Sequence, residues 1–259
     1  MKFANPLTEA RLVRRYKRFF LDAELDDGTV VTAHCPNTGS LLGCLKEGSP
    51  VLLEPSDNPK RKLRWTWRMV RVGRSWVGID SALANRLVTD ALGAGLIPQL
   101  ADYERLVPEV AYGAEGRSRI DLLLSSGGQP PVAPAGARAK AKGRALYEGD
   151  ARTYVEVKST TMAQRVDGRT LGSFPDAVTA RGLKHLHELM GVVDAGHRAA
   201  MVFAVQRSDC EAFVPADAID PAYGEALREA LSHGVEAYAL GAQLGPKQIR
   251  LNKPLPIEL

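Results

Sequence analysis

Three charged residues stand where a buried strand should carry none. Asp121 lies within Arg119-Ile120-Asp121-Leu122-Leu123-Leu124, and Glu156 and Lys158 lie within Tyr154-Val155-Glu156-Val157-Lys158-Ser159. Each stretch sets aliphatic or β-branched residues around a polar one between Gly and Ser boundaries, the pattern of a short buried strand. A buried carboxylate or ammonium without a partner is costly or neutralises itself. Glu156 and Lys158 are two apart, so they share one face of their strand. If the two strands are neighbours, Asp121 reaches that face as well. Two carboxylates and one amine at one point are what a divalent metal and an activated water require. The alternative is an ion pair internal to the sheet, which rarely stabilises more than apolar packing. Two acids against one lysine leave a charge over, and a metal would balance it.

The elements that must position this cluster can be read along the chain. Over residues 11–80, Phe19, Leu21, Ala23 and Leu25 alternate with charged residues, and Asp27-Gly28 is a hairpin turn signal. Thr29–Ala33 and Val51–Glu54 read as further strands, separated by the turn-rich His34-Cys35-Pro36-Asn37-Thr38-Gly39-Ser40. Short strands at this spacing predict an all-β unit, an OB-like small barrel. Residues 80–107 read as helical around Asn85–Leu92, with Pro98 as a boundary. Glu109–Gly113 reads as a strand before the one that carries Asp121. A helix is expected from about Asp176 or Thr179 to Val193, with Arg181, Lys184, His185 and Glu188 as one polar stripe. Ala199–Val205 is a buried strand, Pro221–His233 a helix and Val235–Leu240 a final strand. This order predicts an α/β domain with a mixed sheet over residues 81–259, after the all-β domain of residues 1–80. Residues 127–149, rich in Ala, Gly and Pro, read as a flexible insert at a hairpin tip.

Charge is uneven. Residues 1–80 hold 14 Lys and Arg against 9 Asp and Glu, a balance of +5, while residues 81–259 hold 20 against 21. A basic N-terminal third suggests a polyanionic partner, most simply nucleic acid. Lys60, Arg61, Lys62, Arg64, Arg68, Arg71 and Arg74 occur with no acid between Asp57 and Asp80, and Trp65, Trp67 and Trp76 are interleaved. Period two places Leu63, Trp65, Trp67 and Met69 on a core face and Lys62, Arg64, Thr66 and Arg68 on the other, a cationic stripe able to track a phosphate backbone. No apolar run approaches the ~18 residues of a membrane span. Met1–Pro6 lacks the apolar core of a secretory signal, and the three cysteines have no metal spacing, so a cytoplasmic protein is expected.

Ser118-Arg119-Ile120-Asp121, Tyr154–Ser159 and Phe174-Pro175-Asp176-Ala177-Val178-Thr179-Ala180-Arg181-Gly182, with His34–Gly39 and Ala84-Asn85-Arg86-Leu87-Val88, resemble the sugar fermentation stimulation protein A (SfsA) family over nearly the whole chain. The resemblance implies an OB-like domain followed by a restriction-endonuclease-like domain of PD-(D/E)XK type. It also implies DNA binding and a link to the regulation of sugar (maltose) metabolism. Carried across, Asp121 matches the metal-binding acid, Glu156 the second acid and Lys158 the catalytic lysine. Ile120 replaces the leading proline of that motif. Asn85, Asp90, Glu104 and Glu109 all stay open as the further acid expected before the sheet.

The chemistry expected on this basis is hydrolysis of a phosphodiester with Mg²⁺ or Mn²⁺. Asp121, Glu156 and the Val157 carbonyl would hold the ion, a set of hard oxygen donors. Lys158 would orient or deprotonate water. Arg61, Lys62, Arg64, Arg68, Arg71, Arg181, Lys184 and His185 would contact nucleic acid, with DNA the expected partner and RNA the weaker one. The rival reading is a DNA-binding regulator whose nuclease-like domain serves only as a scaffold.

Overall fold

The structure, a computed structural model, describes residues 1–112, 118–126 and 152–259. The expected insert at 127–149 lies outside the described residues.

Six strands build the N-terminal unit: β1 (Thr8–Tyr16), β2 (Phe20–Leu25), β3 (Val30–His34), β4 (Pro50–Pro55), β5 (Trp65–Val72) and β6 (Ser75–Gly78). They run in the order β3-β2-β1-β4-β5-β6. Parallel pairing of β3 with β5, Ala33 opposite Trp65 and His34 opposite Thr66, closes the first five strands into a barrel. Leu12, Leu21, Ala23, Ala33, Val51, Leu53 and Trp67 fill it, each of the Leu and Val side chains contributing about 1.5–3 kcal/mol by leaving water. Phe19 departs from the expected alternation. It is 48% exposed, because Lys17–Phe19 form a turn and the inward pattern begins only at Leu21.

Asp80 caps a short 3-10 turn, Ser81–Leu83, by accepting from the Ala82 N–H. This turn leads into α1 (Ala84–Gly93), shorter than the helix expected over 80–107 because the chain turns at Gly95 with φ +70°. The α/β domain follows with β7 (Arg105–Tyr112), β8 (Ser118–Ser125), β9 (Arg152–Thr160), β10 (Ala163–Val166), β11 (Arg169–Phe174), α2 (Ala180–Asp194), β12 (Arg198–Val205), β13 (Ala212–Pro215), α3 (Pro221–Ser232), β14 (Glu236–Gly245) and β15 (Gln248–Leu255).

Its main sheet has the order β15-β14-β12-β9-β8-β7. β9, β12 and β14 are parallel, joined through α2 and α3, and the flanking pairs are antiparallel. The sheet is mixed, as expected. α1 packs on one face with Leu122, Leu124, Val155 and Val157. α2 and α3 cover the other with Leu123, Tyr154, Phe203 and Tyr223. β10, β11 and β13 form a small separate sheet.

The two domains are fastened by hydrogen bonds. Gly78 donates its N–H to the Gln206 carbonyl at 2.9 Å, and Gln206 Nε2 donates to the Asp80 carbonyl at 3.0 Å and to Ser159 Oγ at 2.8 Å. On the other side, Asp176 Oδ2 accepts from the Leu41 N–H at 2.9 Å and the Asp176 carbonyl accepts from Ser40 Oγ at 2.7 Å.

Candidate active site

The site lies where β8 peels away from β9. Their ladder runs from Ser125–Arg152 to Leu122–Val155 and stops there. One step further would set Asp121 opposite Glu156. β9 stays paired with β12 past that point, through Thr160–Val205. The gap frees the Val157 N–H, which donates instead to Asp121 Oδ2 at 2.7 Å. Asn85, at the start of α1, donates Nδ2 to Asp121 Oδ1 at 2.9 Å.

Lys158 Nζ donates to Glu156 Oε1 at 2.7 Å, as two residues on one strand face should. The same oxygen meets Nδ1 of His185 from α2. Arg181 Nε donates to His185 Nε2 at 3.4 Å, and Lys158 Nζ lies 3.3 Å from His185 Nδ1. Glu156 Oε2 is buried and has no hydrogen-bond partner among the described residues.

The electrostatics follow from this geometry. Burial, and next the Glu156 charge, push the Asp121 carboxyl above its ordinary value, against the pull of Val157, Asn85 and Lys158. Burial acts on Glu156 in the same direction, but the His185 hydrogen bond and the Lys158 charge outweigh it and hold Glu156 below its ordinary value. Two acids of like charge therefore act on one another in a largely buried setting. The Tyr112 phenol is held well above its ordinary range by burial and by the carboxylates of Glu156, Glu188 and Asp121. Glu188 accepts from Ser118 Oγ at 2.5 Å, and Lys184 Nζ donates to that hydroxyl at 3.1 Å.

Asp121, Glu156, Val157 and Lys158 are thus brought together. Arg181 and Lys184 stand exposed beside them on α2. His185, grouped by sequence with the phosphate contacts, is only 5% exposed and is spent on Glu156. Of the four residues left open before the sheet, Asn85 reaches the site with an amide. Asp90 pairs with Arg86 and the chain N-terminus, and Glu109 with Arg119. The service of His185 could have been found only from its place on the polar stripe of α2.

The cationic stripe is broken up. Arg68 bridges Glu54 and Asp80, whose side chains are 7% and 3% exposed. Arg61 donates to Thr66 Oγ1 at 3.1 Å, and Arg71 lies 6.0 Å over the Trp76 ring. Lys62 and Arg64 are exposed. The run carries no acid of its own, but Glu54 and Asp80 just outside it fold back onto Arg68. Trp67 is wholly buried, and Trp65 packs partly against the barrel core.

Among the described residues no group of three or more His, Cys, Asp or Glu side chains is arranged to hold a metal ion. An ion here would rest on two carboxylates, a backbone carbonyl and water.

Fold and site define a two-domain protein, a closed OB barrel joined to a mixed α/β sheet with a charged cluster at a strand divergence. Residues 13–79 match the model of the SfsA N-terminal OB domain, and residues 82–248 that of the sugar fermentation stimulation protein RE domain. The chain belongs to the sugar fermentation stimulation protein (SfsA) family. It is 48% identical over 257 residues to the sugar fermentation stimulation protein homolog of Geobacter sulfurreducens, covering 99% of this chain and 98% of that one. It is 49% identical over 254 residues to that of Pelobacter propionicus, covering 98% of each. The structure of Pyrococcus furiosus SfsA in complex with Ca²⁺ superposes with a TM-score of 0.77 at 25% identity, covering 100% of this chain and 98% of that one.

Proposed function

We propose that this protein binds DNA and hydrolyses its phosphodiester bonds with a divalent metal at the Asp121–Glu156 cleft. The observation that carries this reading is the buried Glu156 Oε2, left without a partner among the described residues beside a second carboxylate at a strand divergence. The donor set suits Mg²⁺ or Mn²⁺: the Asp121 and Glu156 carboxylates and the Val157 carbonyl are hard oxygens. The description of the archaeal relative as a Ca²⁺ complex supports a hard cation. A bound ion would supply Lewis acidity toward the phosphate and make water a stronger nucleophile.

The chain's own residues do the rest. The Val157 N–H and Asn85 hold the Asp121 carboxylate in place. The His185 imidazole, with Nδ1 against Glu156 Oε1, helps keep the Glu156 carboxylate ionised and oriented, and Arg181 holds the ring from its Nε2 side. Lys158 shares Glu156 Oε1 and can turn its ammonium toward the phosphate or the attacking water, stabilising the developing charge. Arg181 and Lys184 stand where flanking phosphates would lie.

A second reading is a DNA-binding regulator without cleavage, linked to sugar (maltose) metabolism. The family name favours it, and so does the closure of Lys158 and His185 on one oxygen, which steadies the cluster without an ion. Labelled DNA titrated with Mg²⁺ or Mn²⁺ separates the two. Metal-dependent cleavage that disappears in Glu156→Ala and Lys158→Ala supports the nuclease; salt-sensitive binding with no cleavage under either ion supports the regulator.

A further inference from the structure

We propose that the β1–β2 hairpin and the barrel face behind it form a grip for an unpaired DNA strand leading to the Asp121–Glu156 cleft. The inference rests on the functional reading above only for what happens to the strand once it is held.

The stretch Arg14-Arg15-Tyr16-Lys17-Arg18-Phe19-Phe20 sets four cations among three aromatic rings. The register turns part of it into a surface. Tyr16 lies opposite Phe20, and Phe20 opposite His34, so three rings stand in a row across β1, β2 and β3. Tyr16 and Phe20 stack with centroids 5.3 Å apart and planes 18° from parallel. The Arg14 guanidinium lies 5.0 Å over the Tyr16 ring. At the far end of the row, the Arg61 and Arg68 charges bear on His34.

The tip of the hairpin is unusual. Lys17 and Arg18 both adopt left-handed backbone, φ +48° and +62°, which side chains other than glycine rarely do. Arg15 holds them there, donating Nη2 to the Arg18 carbonyl at 3.1 Å. Lys17 and Arg18 are exposed, and no carboxylate among the described residues pairs with either. Phe19, between them and β2, is 48% exposed. A closed core has no use for a large ring in that position. Exposed rings beside unpaired cations are how unpaired strands are held: the rings stack on bases and the cations follow the backbone. A duplex keeps its base faces hidden and could use only the cations. OB barrels bind oligonucleotides through this same loop between their first two strands.

The grip is also fixed relative to the cleft. Arg15 Nη2 donates to the Asn37 and Gly39 carbonyls at 2.8 and 2.9 Å, and the adjoining Ser40 and Leu41 are bonded to Asp176. Asp176 lies just ahead of Thr179, the cap of α2, and α2 carries Arg181 and His185. A Cβ on Gly39 would stand 3.0 Å from Asn37 Oδ1 and from the Asp176 carboxylate, so a side chain there would require these neighbours to shift by a few tenths of an ångström.

The test is fluorescence anisotropy on the full chain in EDTA, with labelled oligothymidine and a labelled duplex of equal length at one salt concentration. Phe19→Ala is expected to weaken single-strand binding by roughly tenfold and duplex binding by less than about twofold. Phe19→Trp, which keeps a flat face, is expected to restore it. Arg18→Ala should weaken both substrates. Equal effects of Phe19→Ala on the two substrates, no effect on either, or failure of Phe19→Trp to restore binding would overturn the proposal. Because no metal is present, an inert cleft does not affect this result. Conversely, a protein that grips the single strand as described but cleaves nothing refutes only the nuclease reading.

Discussion

Two buried clusters in this molecule share a composition and differ in how they are closed. Each joins two carboxylates to one long cation: Glu54, Asp80 and Arg68 at the barrel, and Asp121, Glu156 and Lys158 at the sheet. In the first, every carboxylate oxygen has a partner. Glu54 Oε1 accepts from the Ala4 and Asn5 N–H groups, and Oε2 takes the Arg68 fork. Asp80 Oδ1 accepts from the Ala82 N–H, and Oδ2 from Arg68. In the second, the lysine bonds one of the two acids, Glu156, and touches His185 Nδ1, the two acids repel, and one buried oxygen has no partner among the described residues. The Arg68 guanidinium, with five donors in a rigid fork, meets both of its acids, whereas the Lys158 ammonium bonds one of its two. The closed cluster ties the barrel strands to the 3-10 turn that follows them, and the open one leaves Glu156 Oε2 without a partner among the described residues. Charge content alone does not tell the two clusters apart; the difference lies in whether each carboxylate oxygen finds a partner.

The largest effect that could break this comparison lies in the closed cluster. Arg68→Ala strands two buried carboxylates and is expected to cost ~3–5 kcal/mol in urea unfolding. Asp80 already sits above its ordinary 3.8, burial outweighing Arg68. Without Arg68 it rises further, and a raised acid contributes stability below its unfolded value that is lost as pH climbs through its folded one. The deficit of the variant should therefore grow with pH. A flat profile would mean that the cluster is not closed in the way described.

Next comes Lys158→Ala. It is expected to lower metal-dependent cleavage by about 10²–10³-fold, while changing unfolding much less than Arg68→Ala does. A collapse of stability instead would make the second cluster structural like the first.

These contrasts also show what the sequence could convey. Asp121, Glu156 and Lys158 were legible because charge inside an aliphatic run is anomalous, and period two fixed which face they share. The polar stripe of α2 was legible from its spacing, though not that His185 would be drawn inward onto Glu156. The capture of Arg68 was not legible, because both its acids lie outside the basic run and only barrel closure brings them in. Phe19 was assigned to the core because the alternation was carried through a turn whose left-handed backbone at Lys17 and Arg18 no local rule indicates. The sheet of β10, β11 and β13 escaped because its strands are short and partly polar.

A smaller effect sharpens the account of the open cluster. Asp121→Asn removes a buried like charge while keeping an acceptor for the Val157 N–H. It is expected to stabilise the metal-free protein by ~1 kcal/mol, a rise of about 2–4 °C in Tm. Added Mn²⁺ should then raise the Tm of the unaltered protein and leave the variant unmoved. The smallest effect concerns the remaining exposed cations. Arg64→Ala should reduce the slope of log affinity for DNA against log salt by about 1 if Arg64 meets a phosphate, with no change in sequence preference.

The most direct test of the central claim is calorimetric titration of Mn²⁺ into the metal-free protein and into Glu156→Gln. The account expects a bound ion in the first and its loss in the second, with the fold unchanged by circular dichroism. Equal binding by both, or binding by neither, would contradict it.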